Sequence, residues 1–256
     1  MTGSSRSQRE FTAGCERFCD RGGPNLKGIS RGRMASRFLN PAQQGAQFHW
    51  TRYTSSENPS LLLKRLLDVL VAAIALIVLL PALALISLLI KLDSSGPAIY
   101  CGYRAGRKGR LFRCYKFRTM IANADQLKED LRQNNERSGP FFKIAGDPRI
   151  TRLGYYLRRY SLDELPQLWN VVKGEMSLVG PRPHPVDDVA GYEDEHFARL
   201  DVTPGITGLW QVTARRDPSF HRGMELDLEY IRTWSLGLDL RILFRTLRVV
   251  MCGNGE

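Results

Sequence analysis

Asp163 and Glu164 stand side by side in the stretch YYLRRYSLDELPQLWNVVKGEMSLVGPRP (155–183), two acids in a chain of net charge +11. Arg158 and Arg159 precede them and Arg182 follows. A carboxylate among cations stays ionised. In that form it can ligate Mg²⁺ together with a substrate phosphate. It can also attack an electrophilic phosphorus and form an acyl phosphate. Cations around it then neutralise charge on the transferring phosphoryl group. Arg182 lies between two prolines, which fix the backbone and aim one guanidinium, the group best matched to phosphate. Residue types and spacing therefore point to phosphoryl chemistry.

A plainer reading applies to the acids alone. Ser161-Leu-Asp-Glu164 fits a capping box, with Ser161 as N-cap and Glu164 reaching back. Pro166 would then sit where a helical N–H is required, whereas an N-cap at Asp163 puts it at the third helical position, where none is. In either register both acids occupy the first turn, and Gly174 is a natural stop. A cap explains neither the surrounding arginines nor the proline frame.

Other chemistries lack support. No G-x-x-x-x-G-K-[ST], H-E-x-x-H or strand-borne G-x-G-x-x-G occurs. The four histidines (His49, His184, His196, His221) show no metal-ligand spacing. Five scattered cysteines, an odd number, read as reduced thiols in a cytosolic compartment. A pI near 9.7 calls for an acidic partner: nucleic acid, an anionic membrane or a phosphorylated substrate.

The elements that must position the acids read as follows. Residues 1–60, rich in Gly, Ser, Arg and Gln without periodicity, are expected as a disordered basic tail. VLVAAIALIVLLPALALISLLI (69–90) carries no charge, and as a helix it reaches about 33 Å, enough for a hydrocarbon core of about 30 Å. Pro81 lies near its middle, and both flanks are basic, so the residues alone leave open a kinked spanning helix or one that breaks and returns to the same face. Seven basic residues and no acid fall between Arg104 and Arg118, on a segment that reads as a hairpin with a strand over 111–117. Residues 125–134 resemble a polar helix. Near the end, Leu240, Leu243, Phe244, Leu247 and Met251 share one helical face and Arg241, Arg245 and Arg248 another. That pattern suits a helix in the membrane interface, or one packed on the domain's own core.

Six ordered motifs, KRLLDVLVAA, YKFRTM, DPRITRLG, SLDELPQLWNVVKGEMSLVGPRP, TPGITGLWQV and WSLGLDLRIL, resemble the bacterial sugar transferases, the monotopic polyprenyl-phosphate phosphoglycosyl transferases that initiate exopolysaccharide, capsule and O-antigen assembly. The likeness covers residues 64–252. It implies transfer of a hexose-1-phosphate from a UDP-sugar to undecaprenyl phosphate, with release of UMP. It implies Asp163 as nucleophile and Mg²⁺ ligand, with Glu164 as its partner. Lys116, Arg118, Arg158, Arg182, Arg215 and Asp239 fall on matching positions assigned to phosphate and nucleotide contacts. The resemblance further implies a membrane helix broken at Pro81 and re-entrant on the cytoplasmic face of the bacterial inner membrane.

The implied fold is α+β and mainly helical: a re-entrant helix over 69–90, amphipathic interfacial helices and a small hairpin around a cytosolic site, all within 61–252. The expected partners are the UDP-sugar, undecaprenyl phosphate and the membrane, with no nucleic acid; a homo-oligomer stays open. So does the sugar, whether galactose, glucose or an acetamido sugar. Leu80 stands where relatives often carry Ser before the proline, Cys101-Gly102 where they offer a polar or basic pair, and Ala214 where glycine is common. A membrane-tethered nucleic-acid binder using the 104–118 patch is the rival of another class; it leaves the acid pair and GPRP without a role.

Overall fold

The structure, a computed structural model, describes residues 59–253 apart from 129, 132, 134, 136–143, 145, 191 and 216. Of the expected tail over 1–60, residues 1–58 lie outside the described residues, as do Cys15 and Cys19, and residues 59 and 60 are helical. Helix α1 spans Pro59–Asp93, 35 residues, starting ten residues ahead of the uncharged run. Proline suits a first turn, where its missing N–H is not needed. The expected break at Pro81 is not an interruption: the helix continues through it. Loss of one donor does not by itself end an otherwise strongly apolar helix.

Only 6% of the most apolar 18-residue window of α1 is buried within the protein, so it is no core helix. Ile77 and Val78 are 73% and 70% exposed. Each such side chain left in water forgoes about 1.5–3 kcal/mol, which a bilayer returns. The opposite stripe packs on the rest of the molecule. Ala72, Ala75, Leu76 and Leu79 meet the main core, and Leu83, Ile86 and Ile90 meet a second cluster around Phe117 and Leu157.

Strands β1 (Ile99–Ala105) and β2 (Leu111–Phe117) form the expected antiparallel hairpin, with Ile99 opposite Phe117 and Ala105 opposite Leu111. Lys108 takes a left-handed φ of 56° at the turn. The polar helix expected over 125–134 is reduced, among the described residues, to a 3₁₀ turn at Gln126–Lys128. Helix α2 (Arg152–Arg159) is capped by the Thr151 side chain, which accepts from the Gly154 N–H. Gly154 permits close approach to the chain leaving β2: a Cβ there would lie 2.1 Å from the Thr119 carbonyl oxygen.

Helix α3 (Gln167–Lys173) ends at Gly174, whose φ of 86° satisfies the expected stop. Strand β3 (Ser177–Val179) pairs in parallel with β4 (Gly205–Thr207). Short helices α4 (Val186–Ala190) and α5 (Leu209–Thr213) frame the site, and a 3₁₀ segment covers Asp194–Asp201. Helices α6 (Phe220–Thr233) and α7 (Leu236–Met251) close the fold. The main core gathers Val171, Met176, Val179, Val202, Tyr230, Ile231, Trp234 and Ile242. The fold is thus mostly helical with a small hairpin, as expected, and the described residues add a second two-stranded sheet, β3–β4, that the motifs did not announce.

On α7 the expected apolar face divides. Leu243 packs against the core beside buried Ile242. Leu240, Phe244, Leu247 and Met251 stay exposed, with Arg241, Arg245 and Arg248 also outward.

Candidate active site

The acids do not open a helix in the way the capping box predicts. Ser161 adopts a left-handed conformation (φ 54°) and makes no side-chain cap. Asp163 and Glu164 lie on a 3₁₀ turn, Leu162–Glu164, ahead of α3, whose N-cap is Pro166. Glu164 cannot close a capping box because cations hold its oxygens. Lys116 Nζ donates to Oε1 at 2.7 Å, and Arg182 donates to Oε1 at 2.7 Å and to Oε2 at 3.4 Å.

Three elements bring this about. Lys116 comes from β2, the acids from the turn after α2, and Arg182 from the segment after β3. Fully buried Asn170 stitches α3 to β2: its amide donates to the Arg113 carbonyl at 2.6 Å and accepts from the Tyr115 N–H at 3.1 Å. That clamp sets Lys116 against the acid turn. Nothing in the sequence reading had singled out Asn170.

The two acids occupy different electrostatic situations. Burial raises the Glu164 carboxyl, but Arg182 and Lys116 outweigh it and hold the group well below the usual carboxylate range. Burial pushes the Asp163 carboxyl up; Lys116 pulls it back and Glu164 adds to the rise. The nearest ion-pair partner of Asp163 is Lys116 Nζ at 3.7 Å, against 2.7 Å for Glu164. Glu164 is therefore a fixed anion, and Asp163 a buried carboxylate whose charge is only partly met. Such a hard oxygen donor, desolvated beside phosphate-binding cations, fits a divalent cation such as Mg²⁺, which would offset the cost of burying its charge.

A cavity of about 650 Å³ opens over this pair. Lys116, Arg158, Asp163, Glu164, Arg182 and Arg215 all line it. Arg158 Nε donates to Thr119 Oγ1 at 2.9 Å, and Arg215 lies over Ser161, Nη2 to Oγ, at 3.4 Å. Gln167, His184, Asp188 and Gln211 also line the cavity and were not singled out. Their signal was adjacency: His184 follows GPRP, and Gln211 lies within TPGITGLWQV.

Of the two remaining expected phosphate contacts, Arg118 lines the cavity and Asp239 does not. Arg118 borders the cavity, but its guanidinium caps the C-terminal end of α1. It donates to the Ser94 and Ser95 carbonyls at 2.7 and 2.6 Å and to the Ile90 carbonyl at 3.4 Å. Orphan carbonyls at a helix end attract such a cation. Asp239 is not among the residues lining the cavity. Buried in the first turn of α7, it accepts from Lys64 Nζ (2.7 Å), Tyr230 OH (2.7 Å) and Trp234 Nε1 (3.2 Å). An anion so occupied ties α1 to α7 and is unsuited to a phosphate contact. Cys101, Cys114 and Cys252 are free thiols, as expected.

The family model described as bacterial sugar transferase matches residues 59–253. Similar proteins include the galactosyl transferase CpsE of Streptococcus agalactiae serotype III (strain NEM316), 45% identical over 76% of this chain and 43% of its own length. The exopolysaccharide production protein ExoY of Sinorhizobium fredii is 41% identical over 75% of this chain and 87% of its own. The undecaprenyl-phosphate glucose phosphotransferase of Komagataeibacter xylinus is 43% identical over 72% of this chain and 35% of its own. The chain thus spans less than half of CpsE and of the glucose phosphotransferase. A match over the whole acid-pair site, β2 to α7, makes this chain a member of the bacterial sugar transferase family.

Proposed function

We propose that the protein transfers a hexose-1-phosphate from a UDP-sugar to undecaprenyl phosphate, releasing UMP, as the initiating step of exopolysaccharide, capsule or O-antigen synthesis. The observation that carries this reading is the unequal acid pair. Glu164 is locked by Lys116 and Arg182, while Asp163 beside it is buried and only partly neutralised. A carboxylate oxygen of Asp163 attacks the sugar-bearing phosphorus of the donor. The bridging P–O bond breaks, and UMP departs with the bonding electrons. A phosphate oxygen of the lipid then attacks the phosphorus of the aspartyl phosphosugar. The P–O bond to Asp163 breaks, and the carboxylate is regenerated. Neither step requires a net proton transfer from the protein.

Lys116 and Arg182 fix the partner anion and, with Arg158 and Arg215, supply positive potential where phosphoryl charge builds. Mg²⁺ held by Asp163 would add charge neutralisation at the same phosphates.

Membrane placement on one face is supported by both ends of α1. Near its start, Lys64 and Arg65 bond the Val179 and Val171 carbonyls; at its end, Arg118 holds Ser94 and Ser95. A polar body that grips both ends favours a helix that enters and leaves by the same, cytoplasmic, surface, deflected at Pro81. The exposed Leu240, Phe244, Leu247 and Met251 on α7 suit contact with that surface.

The test is UMP release by purified protein with Mg²⁺, undecaprenyl phosphate and a panel of UDP-sugars, including galactose, glucose and acetamido donors. Release that needs lipid and vanishes in Asp163→Asn supports the reading and identifies the sugar. Undiminished release from Asp163→Asn would refute the nucleophile.

A further inference from the structure

The cavity that holds the acid pair also carries an apolar wall for which the phosphoryl chemistry has no use. Pro97, Ile99, Tyr100, Met120 and Ile121 line it together with the acids and their cations. Of these, Ile99 is 37% exposed, Tyr100 42% and Ile121 36%. A single exposed apolar side chain needs no explanation, but three on the wall of one cavity mark a binding surface. Phosphates and sugar hydroxyls gain nothing from such a wall, so it calls for a ligand with hydrocarbon to bury.

The fold sets this wall between the end of α1 and the acid pair. Ile99 opens β1 after the short link that follows α1, and the Arg118 N–H donates to the Ala98 carbonyl at 2.8 Å. The Arg118 side chain, bonded to Ser94 and Ser95, fastens the same link to the helix end. Phe117, opposite Ile99, packs in one cluster with Ile86 and Ile90 of α1. The same cluster holds Leu162 and Leu165, which flank Asp163 and Glu164. Tyr100 stands opposite Lys116, so both side chains leave one face of the hairpin, and Lys116 binds Glu164. The Ile121 N–H donates to the Arg149 carbonyl at 2.9 Å, which fixes the far side of the wall. On α1 itself Leu88, Leu89 and Leu92, next to that end, are exposed.

Resting on the phosphoryl-transfer reading and on the membrane placement of α1, we propose that Ile99, Tyr100 and Ile121 seat the first isoprene units of the acceptor lipid. That acceptor is an anion at one end and a hydrocarbon along the rest. Its phosphate is drawn to the cations around the acid pair, and its chain has to run from there to the bilayer beside α1. The wall supplies apolar surface along that stretch. A chain seated there holds the lipid phosphate against the phosphorus of the aspartyl phosphosugar and keeps water from the same position.

Ile121→Gln and Tyr100→Ser test this in the full chain, assayed in mixed micelles. Each should raise KM for undecaprenyl phosphate roughly five- to tenfold while KM for the UDP-sugar stays within about twofold. Ile121→Leu, which keeps the apolar volume, should restore the lipid KM. A geranyl phosphate ending in a benzophenone gives a readout that needs no turnover. Illumination should place its adducts within 97–101 or 118–122, and excess undecaprenyl phosphate should suppress them. The proposal fails if neither KM rises. It fails equally if the UDP-sugar KM rises as far as the lipid KM, which would make the wall a nucleotide contact. Adducts elsewhere would also overturn it. So would adducts that phosphatidylglycerol suppresses as well as undecaprenyl phosphate does, the mark of a general bilayer contact. Should the unaltered protein release no UMP, the function reading falls alone, because the adducts still decide where a prenyl phosphate lies.

Discussion

Lys64→Met offers a direct test of the tie between the long apolar helix α1 and strand β3. Lys64 Nζ lies 2.7 Å from Asp239 Oδ2 and 3.0 Å from the Val179 carbonyl, and both charged side chains are under a tenth exposed. Val179 immediately precedes the Gly-Pro-Arg182 segment. Without Lys64, Asp239 keeps the Tyr230 and Trp234 donors but loses its counter-charge. Asp68, 3.7 Å from the same ammonium, keeps Ser177 Oγ and the Leu178 N–H. Stranding one partner of a buried pair costs about 3–5 kcal/mol. With about 2–4 °C per kcal/mol for a domain of this size, the melting point should fall roughly 6–20 °C. Thermal unfolding in detergent, followed by circular dichroism, measures it. In Lys64→Met/Asp239→Asn the two losses should fall short of additivity by about 1–3 kcal/mol, because each single change already breaks the pair. Additive losses would refute the coupling. An Asp239→Asn protein of unchanged stability with a raised KM for the UDP-sugar would return Asp239 to the substrate.

Three further outcomes follow from the same geometry. Asp163→Asn should abolish transfer yet raise the melting temperature at neutral pH in EDTA, since it removes a carboxylate that burial disfavours; a lower melting point would contradict that assignment. In acid titrations the two acids act with opposite sign. Glu164, depressed in the folded state, gives full stabilisation above its unfolded value near about 4.3 and loses it as pH falls toward the lower folded value; Asp163, raised, contributes below about 3.9 and loses that contribution as pH rises through its folded value. Glu164→Gln should therefore flatten the acid limb of a melting-temperature profile, and an unchanged limb would argue against the depressed value. Gly154→Ala puts a carbon 2.1 Å from the Thr119 carbonyl oxygen, so overpacking should destabilise by about 1–3 kcal/mol and disturb the Arg158–Thr119 contact; equal stability in chemical unfolding would disprove the close approach.

Much of this protein was legible from local signals. Strand β2 falls on the expected residues 111–117, because alternation and the glycine turn before it are local properties. Gly174 ends α3 because a left-handed stop is specified by one residue type. The uncharged run marked a helix long and apolar enough to cross a membrane, since hydrocarbon solubility is additive along the chain. The concentration of cations around Asp163 and Glu164 could be read because those residues are near in sequence or sit in short motifs.

Contacts that join distant segments were not legible. A capping box and a cation-locked glutamate share the same Ser-Leu-Asp-Glu letters. Lys116, 48 residues away, and Arg182 decide between them by taking the Glu164 oxygens. The unequal acid pair is thus a tertiary fact, because proton affinity depends on burial and on charges brought from other elements. The motifs single out Arg118 and Asp239 alike, but only the fold shows that Arg118 caps a helix while lining the cavity, and that Asp239 joins two helices away from it. The sequence by itself determined which charges, turns and apolar runs exist. Only the tertiary structure decided which charge neutralises which, because that pairing follows distance in space.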